Sequence, residues 1–184
     1  ANRAVAKALE LADRPTLHRS HPPPAPQKLQ DLAALLERHG IDVKGDLETP
    51  GVLARALETV RGLPSQERLH LAALRSMSQA RYQVKSEGHY ALRFDHYLHF
   101  TSPIRRYADL EVHRVLRRLI RGEAEPRDSH GENADRSERV AAWLSGRERV
   151  AQEAERDANA LASCSLMRGR ESTRFEAAVT GVSD

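Results

Sequence analysis

The sequence has a single cysteine, few aromatic side chains and no long apolar run. Cys164 has no second cysteine with which to form an internal disulfide, which favours a reducing, cytoplasmic location. No apolar stretch approaches the roughly 18 residues that a membrane-spanning helix requires, and no secretory leader is recognisable. We therefore expect no membrane association. With 40% hydrophobic and 30% charged residues, the composition is instead typical of a globular protein.

Lysine is also scarce, because 25 of the 29 basic residues are arginine. The planar guanidinium of arginine binds phosphate and carboxylate groups through two parallel hydrogen bonds, which an ammonium group cannot do. The alternative explanation is a GC-rich genome, which replaces lysine by arginine throughout a protein. The formal net charge of +3 is too small by itself to indicate nucleic-acid binding.

Apolar periodicity predicts an α+β fold that is predominantly helical, with a few short strands. A 3.6-residue repeat predicts helices over 1–10, 27–39, 49–61, 65–80, 104–121 and 136–167. Gly40 is expected to end the second helix, and Thr49–Pro50 to begin the third. The expected buried residues include Ile104 in the fifth helix and, in the sixth, Ala151, Ala154, Ala158 and Leu161. Alternating residues predict short strands or extended chain over 16–20 and 81–99, and a C-terminal edge strand in RFEAAVTGVSD. The chain begins in a helix and ends in a strand without an evident partner, so we interpret it as part of a longer protein.

The stretch HFTSPIRRYADL (99–110) raises a question of charge. Ser102 and Pro103 are typical of an N-cap and a first helical position, so the pattern predicts Arg105 and Arg106 in the first helical turn. A helix N-terminus is partially positive and disfavours cations by roughly 0.3–1 kcal/mol unless an anion binds there. Free N–H groups, hydroxyl groups and a guanidinium together describe a phosphate site. The alternative is that Asp109 or another acid neutralises the arginines, although the i, i+4 pair of Arg105 with Asp109 accounts for one of them at most.

The stretch GHYALRFDHYLHFTSPIRRYADLEVHR (88–114) closely resembles the signature of the RNB domain, the catalytic domain of the ribonuclease II and ribonuclease R family. LHRSHPPP (17–24) resembles the family's Arg-x-His-x-x-Pro stretch, and AERDANALASCSLM (154–167) resembles its long helix after the signature. RFEAAVTGVSD looks like the first strand of an S1 RNA-binding barrel. The resemblance implies a partial RNB-type catalytic domain over 1–170, followed by a linker and a truncated S1-like strand over 171–184.

Members of this family degrade single-stranded RNA processively from the 3′ end and release nucleoside 5′-monophosphates by Mg²⁺-assisted hydrolysis. The resemblance therefore implies a cytoplasmic, monomeric exoribonuclease whose partners are single-stranded RNA and the remainder of its own catalytic domain. The family's metal-binding aspartates precede the segment that this chain resembles. We expect Mg²⁺ to be bound by residues outside this chain, and we expect this chain alone to be inactive.

The resemblance also assigns roles to individual residues. Arg105 matches the family arginine that contacts the scissile phosphate, which makes it the expected catalytic residue. Glu155 matches a glutamate near the 3′-terminal nucleotide, although a solvated helix acid is the alternative. The other expected RNA-binding residues lie in the signature, where capping, packing or internal ion pairs are the alternatives: Tyr97, Thr101, Ser102 and Arg106. His113 is expected to be structural, and the 18–21 stretch either lines the RNA channel or fixes the loop before the prolines.

Two other functions are open at this point. An RNB-like protein without the upstream aspartates would bind RNA or regulate it without cleaving it. A helical interaction domain would instead present the arginine face of the 104–121 helix to an acidic partner. Replacing Arg105 by alanine distinguishes the three hypotheses. An exoribonuclease should lose turnover of RNA, and a non-catalytic RNA binder should bind RNA more weakly. A helical interaction domain should show neither change.

Overall fold

The computed structural model describes residues 1–124 and 132–176. Two short strands, β1 (His18–Ser20) and β2 (Arg81–Gln83), pair antiparallel with Arg19 opposite Tyr82. One turn of 3₁₀ helix spans Tyr90–Leu92. The helices of the described residues are α1 (Asn2–Leu11), α2 (Pro26–Arg38), α3 (Val52–Thr59), α4 (Gln66–Ser76), α5 (Tyr107–Ile120) and α6 (Glu132–Met167). The prediction of a predominantly helical α+β fold with a few short strands is therefore confirmed.

The chain divides into two compact units, residues 1–145 and 146–184. The first unit contains three apolar cores. In the second unit, the described residues from 151 onwards are exposed, so the prediction that α6 buries Ala151, Ala154, Ala158 and Leu161 is wrong. The predicted C-terminal strand lies mostly outside the described residues, because 177–184 are not among them.

Residues 26–76, here called the three-helix segment, leave the sheet after β1 and return to β2. Leu29, Leu32 and Leu36 recur at helical spacing and are buried against apolar residues of α3 and α4. The positive φ of Gly40 follows the end of α2, which is where the sequence predicted a glycine to end this helix. At the base of the segment, the Ser78 hydroxyl donates a hydrogen bond to the Pro23 carbonyl.

The predicted start of α3 is wrong. Thr49 and Pro50 were expected at the N-cap and the first helical position, but they lie in a turn closed by the bond from Val52 N–H to the Thr49 carbonyl. Gly51, with φ of 95°, is the N-cap residue. Because a left-handed residue breaks the helical backbone, the helix begins only after it.

Two smaller cores hold the segment that contains the arginine pair. Leu98 packs with α1 and α5 in one core, together with Ala6, Leu9, Val112 and Val115. Ala108 packs in the other, beside Tyr82 and beside Ala141 and Leu144 of α6. The chain between Leu98 and Ala108 is therefore anchored at both ends by buried side chains. Within the described residues, no helix has the combination of length and apolar character that spanning a bilayer requires.

Candidate functional site

Residues 101–106, here called the arginine loop, precede α5 and are not part of it. The sequence predicted a helix start at Ser102–Pro103, but α5 begins at Tyr107 with Arg106 as its N-cap. The N–H groups of Arg105 and Arg106 both donate to the Ser102 carbonyl, at 3.3 and 3.1 Å, which closes a turn over Pro103. Arg106 is then extended, with φ of −126° and ψ of 113°. The predicted position of both arginines in the first helical turn is therefore wrong, because Arg105 precedes the helix and Arg106 is its N-cap residue.

The prediction that Ile104 begins the buried face of this helix is also wrong. Ile104 is 98% exposed, because it lies at the tip of the turn rather than on the inner side of α5. The inward positions of the helix begin with Ala108, and Val112 and Val115 follow as predicted. The arginine loop therefore projects from the two cores that anchor it.

Asp109 organises the arginine loop from inside the protein. Its carboxylate is 0% exposed and accepts two hydrogen bonds from Arg106, Nε to Oδ2 at 2.8 Å and Nη2 to Oδ1 at 2.9 Å. Oδ1 also accepts the backbone N–H of Ser102 at 2.8 Å. Asp109 is the third residue of α5, where a carboxylate complements the positive end of the helix dipole. An internal acid therefore neutralises one arginine, but Asp109 pairs with Arg106 and not with Arg105, the partner that the i, i+4 spacing suggested.

Arg105 differs from its neighbour in every one of these respects. Its side chain is exposed, and it makes no hydrogen bond or ion pair with any residue that the structure describes. Thr101 is exposed and Ser102 is half-buried on the same loop. The structure therefore places an unpaired guanidinium beside two hydroxyl-bearing residues, on a turn whose backbone is held by Ser102 and Asp109.

Tyr97 lies just before the arginine loop and is held by α1 and β1. Its hydroxyl accepts a hydrogen bond from Asn2 Nδ2 at 3.1 Å, and its carbonyl accepts the N–H of Arg19 at 2.8 Å. Asn2 Oδ1 accepts the N–H of Phe100 at 3.2 Å, so one amide fixes two points of this stretch. Nothing in the sequence pointed to Asn2, because its partners are 95 and 98 residues away along the chain.

A cluster of aromatic and histidine rings adjoins Tyr97. The ring of His89 stacks on that of His21 and meets that of Tyr97 edge-on, with centroids 4.9 and 5.3 Å apart. The Tyr82 hydroxyl and His99 Nδ1 share a hydrogen bond of 2.8 Å, and the Arg19 guanidinium lies 4.8 Å from the Tyr82 ring centroid. The ring contacts form a continuous chain from the end of β1 to the residues just before the arginine loop.

The histidines of this cluster are neutral at pH 7. Burial, followed by the positive charges of Arg106 and Arg19, lowers the pKa of His99 to about 4. Burial, followed by His21 and Arg19, lowers the pKa of His89 to about 4. The positive charge at this site therefore comes from the arginines and not from the histidines.

The remaining predicted residues have simpler surroundings. His113 stacks on Phe100 at a centroid distance of 4.1 Å and bonds the Phe100 carbonyl through Nε2, which matches the expected structural role. His18 and His21 are buried, which favours fixing the chain over lining a channel. Glu155 is exposed on α6 in the second unit, and its predicted role stays a prediction.

The outer face of α5 is only partly available to an acidic partner. Arg114 pairs with Glu111 and stacks beside the Tyr107 ring. Nη1 of Arg121 lies 3.7 Å from Oε1 of Glu123. Glu111 and Glu123 thus neutralise part of the arginine face of α5, which the sequence had suggested as a binding surface for an acidic partner.

The described residues do not fit a metal centre. Across 1–124 and 132–176, no group of three or more histidine, cysteine, aspartate or glutamate side chains is arranged to hold an ion. No step assigned to these residues therefore passes through a metal. The expectation that Mg²⁺ is bound by residues outside the chain stays a prediction.

Comparison with known proteins identifies where this fold recurs. Residues 1–122 match the RNB domain. Ribonuclease R of Aquifex aeolicus is 38% identical over 183 residues, which cover 99% of this chain and 26% of that protein. The chain thus spans about a quarter of the length of the curated relatives it matches.

Solved structures agree with this match. Mycoplasma genitalium RNase R, in complex with ribose-methylated single-stranded RNA, has a TM-score of 0.81 and 30% identity over 90% of this chain and 26% of its own. The same protein with double-stranded RNA has a TM-score of 0.83 at 29% identity, over 94% of this chain and 31% of its own. Yeast Ssd1, a pseudonuclease, shares the fold with a TM-score of 0.66 and 24% identity, over 79% of this chain and 18% of its own. Since the domain match covers residues 1–122 of 184 and the similarity to ribonuclease R extends along nearly the whole chain, the chain belongs to the RNB-domain family of ribonuclease R.

Proposed function

We propose that this chain is part of a processive 3′-to-5′ exoribonuclease that hydrolyses single-stranded RNA to nucleoside 5′-monophosphates. Within it, Arg105 binds the scissile phosphate. The proposal includes Mg²⁺ bound by residues outside this chain, a cytoplasmic location and a monomeric state, and it holds that this chain alone is inactive. Membership of the ribonuclease R family and the RNA complexes of the M. genitalium relative support it.

The observation that carries the proposal is the contrast between two adjacent arginines. Arg106 is paired with the buried carboxylate of Asp109, whereas the exposed side chain of Arg105 has no hydrogen-bond or ion-pair partner among the described residues. A guanidinium held on a fixed backbone without an internal partner is available to an external anion. Its planar geometry suits two nonbridging oxygens of one phosphate group.

The chemical role of Arg105 follows from this geometry. As the scissile phosphodiester is attacked, negative charge increases on its nonbridging oxygens. A guanidinium already oriented toward that position stabilises the transition state without reorganising, and one such donor is worth about 100- to 1,000-fold in turnover. The hydroxyls of Thr101 and Ser102 provide further donors to phosphate oxygens on the same loop.

The other proposed contacts lie on either side of this loop in sequence. The Tyr97 hydroxyl, held by Asn2, is placed to contact the RNA backbone beside the arginine loop. Arg106 uses two of its N–H donors on Asp109, and in this proposal its remaining donors contact the RNA backbone. Glu155 contacts the ribose of the 3′-terminal nucleotide in this proposal, in keeping with the family match of AERD.

The test is the Arg105→Ala substitution in the full-length protein. Single-turnover cleavage of a 5′-labelled oligoadenylate in the presence of Mg²⁺ should slow by about 100- to 1,000-fold, because the charge on the scissile phosphate is no longer neutralised. RNA affinity should change little, since one of several phosphate contacts is lost. The matched control is Arg68→Ala, which removes another exposed arginine, on α4, and should leave cleavage unchanged.

The outcome separates this function from its alternatives. Weakened binding in a protein that never cleaves RNA would favour the hypothesis of a non-catalytic RNB-like protein, for which the fold of Ssd1 is a precedent. In that case the slope of log affinity against log salt should become shallower by roughly 0.7 for the lost phosphate contact. If neither binding nor cleavage depends on Arg105, the role assigned to it is wrong.

A further inference from the structure

Asp109 occupies a position that the proposed chemistry does not use. It is a fully buried carboxylate in the first turn of α5. A buried charge is costly unless it is paired and fully hydrogen-bonded. Asp109 meets that condition through three bonds, two from the Arg106 side chain and one from the backbone N–H of Ser102.

These three bonds join the two ends of the turn that carries Arg105. Ser102 is the first residue of the turn, since its carbonyl accepts the N–H groups of Arg105 and Arg106. Arg106 is the last residue of the turn, because its N–H is one of the two that the Ser102 carbonyl accepts. By holding the N–H of Ser102 and the side chain of Arg106 at once, one carboxylate fixes both ends of the turn against the buried start of α5.

The same bonds also decide which arginine is available. Asp109 lies three residues after Arg106, and the extended backbone of Arg106 turns its side chain inward to a half-buried position. The side chain of Arg105 is exposed on the turn and has no hydrogen-bond or ion-pair partner among the described residues. Without the carboxylate, two neighbouring cations would repel each other at the same anion.

We propose that Asp109 is a positioning residue, which aims the Arg105 guanidinium at the phosphate by clamping the Ser102–Arg106 turn and by neutralising Arg106. This inference rests on the proposed function of Arg105. Asp109 does not touch RNA and acts through Arg105, so its importance to turnover must disappear when Arg105 is absent.

The experiment is a double-mutant cycle in the full-length protein, with Arg105→Ala, Asp109→Asn and the two together. The asparagine side chain would keep the size of the aspartate and one acceptor for Ser102, but its NH₂ group would face the donors of Arg106. Single-turnover cleavage of the 5′-labelled oligoadenylate by Asp109→Asn should fall by up to about 100-fold, the loss that a displacement of about 1 Å can cause. In the Arg105→Ala background, the same substitution should cause no further loss.

A general structural role would give a different result. If Asp109→Asn slows cleavage by the same factor with and without Arg105, or not at all, the positioning role is wrong while the function of Arg105 stands. If Arg105→Ala alone leaves cleavage unchanged, the proposed function and this inference both fall.

A milder variant guards against a loss of folding. Thermal unfolding of Asp109→Asn shows whether the protein is native at the assay temperature. If it is not, Arg106→Lys takes its place in the cycle, because a lysine keeps the charge but makes one bond where the guanidinium makes two. It should slow cleavage less than Asp109→Asn, and again only when Arg105 is present. An equal effect in both backgrounds would overturn the inference.

Discussion

The three-helix segment and the stretch from Tyr97 to Asp109 are built by opposite means. The first is held by an apolar core whose buried side chains all come from residues 29–73. The second is anchored near its ends by Leu98 and Ala108 in the two smaller cores, and the chain between them is placed by polar contacts, such as the bond of Asn2 to Phe100 and that of Asp109 to Ser102. Apolar packing is tolerant of direction, whereas hydrogen bonds are directional and place individual atoms. The protein therefore uses packing for its scaffold and polar contacts where the orientation of a side chain matters.

The largest expected change comes from the scaffold. Leu69 on α4 is 0% exposed, so Leu69→Ala should lower the free energy of unfolding by about 2–5 kcal/mol through lost burial and a cavity. Denaturant titration of the full-length protein measures this. Because the three-helix segment does not contain the arginine loop, RNA cleavage per folded molecule should stay the same. A fall in that cleavage rate comparable to that of Arg105→Ala would contradict the separation of the two regions.

A smaller change in stability, with a larger change in activity, is expected from Asn2→Ala. The substitution leaves the N–H of Phe100 and the hydroxyl of Tyr97 without their partner, which should cost about 1–3 kcal/mol. Cleavage per folded molecule should also fall, because Tyr97 and the start of the arginine loop lose their link to α1. Asn2→Asp is the matched control, since a carboxylate can accept from both groups. If Asn2→Ala leaves cleavage untouched, the polar link is not part of the site.

The smallest effect is a change in pH dependence. The pKa of His99 is lowered to about 4, by burial first and then by Arg106 and Arg19, whereas an unfolded histidine titrates near about 6.5. The unfolded state therefore takes up a proton that the native state does not, and stability present above about pH 6.5 is lost as the pH falls toward 4. His99→Gln should reduce this proton uptake on unfolding by about one, as measured by denaturant titration across that interval. If the free energy of unfolding changes with pH by the same slope in the parent protein and in His99→Gln, then His99 titrates alike in the folded and unfolded states.

The helices were predictable because their signal is local. The leucine spacing of α2 and the glycine after it placed that helix within a residue at each end. The errors came where a local signal competed with a distant contact or a backbone conformation. Thr49 and Pro50 form a good helix start in isolation, but the left-handed Gly51 delays α3 to Val52.

The start of α5 was mispredicted for a related reason. Ser102 and Pro103 also form a good helix start, and the sequence offered no sign that Arg106 would be extended. Asp109 pairs with Arg106 at a spacing of three residues, and the same carboxylate takes the Ser102 N–H that a regular helix would have left free. This arrangement depends on the burial of Asp109, which periodicity alone did not predict.

By itself, the sequence determined the predominantly helical scaffold and the family, and it singled out the arginine pair as a candidate site, because helical periodicity and a contiguous motif are properties of neighbouring residues. Only the tertiary structure decided which arginine is neutralised and which faces outward. That choice depends on a carboxylate buried between the loop and α5, and on the bonds from Asn2 and Tyr82 that hold the adjoining chain. Burial and contacts across 17 to 98 residues arise only when separate parts of the chain pack together, since water otherwise solvates each of these groups separately.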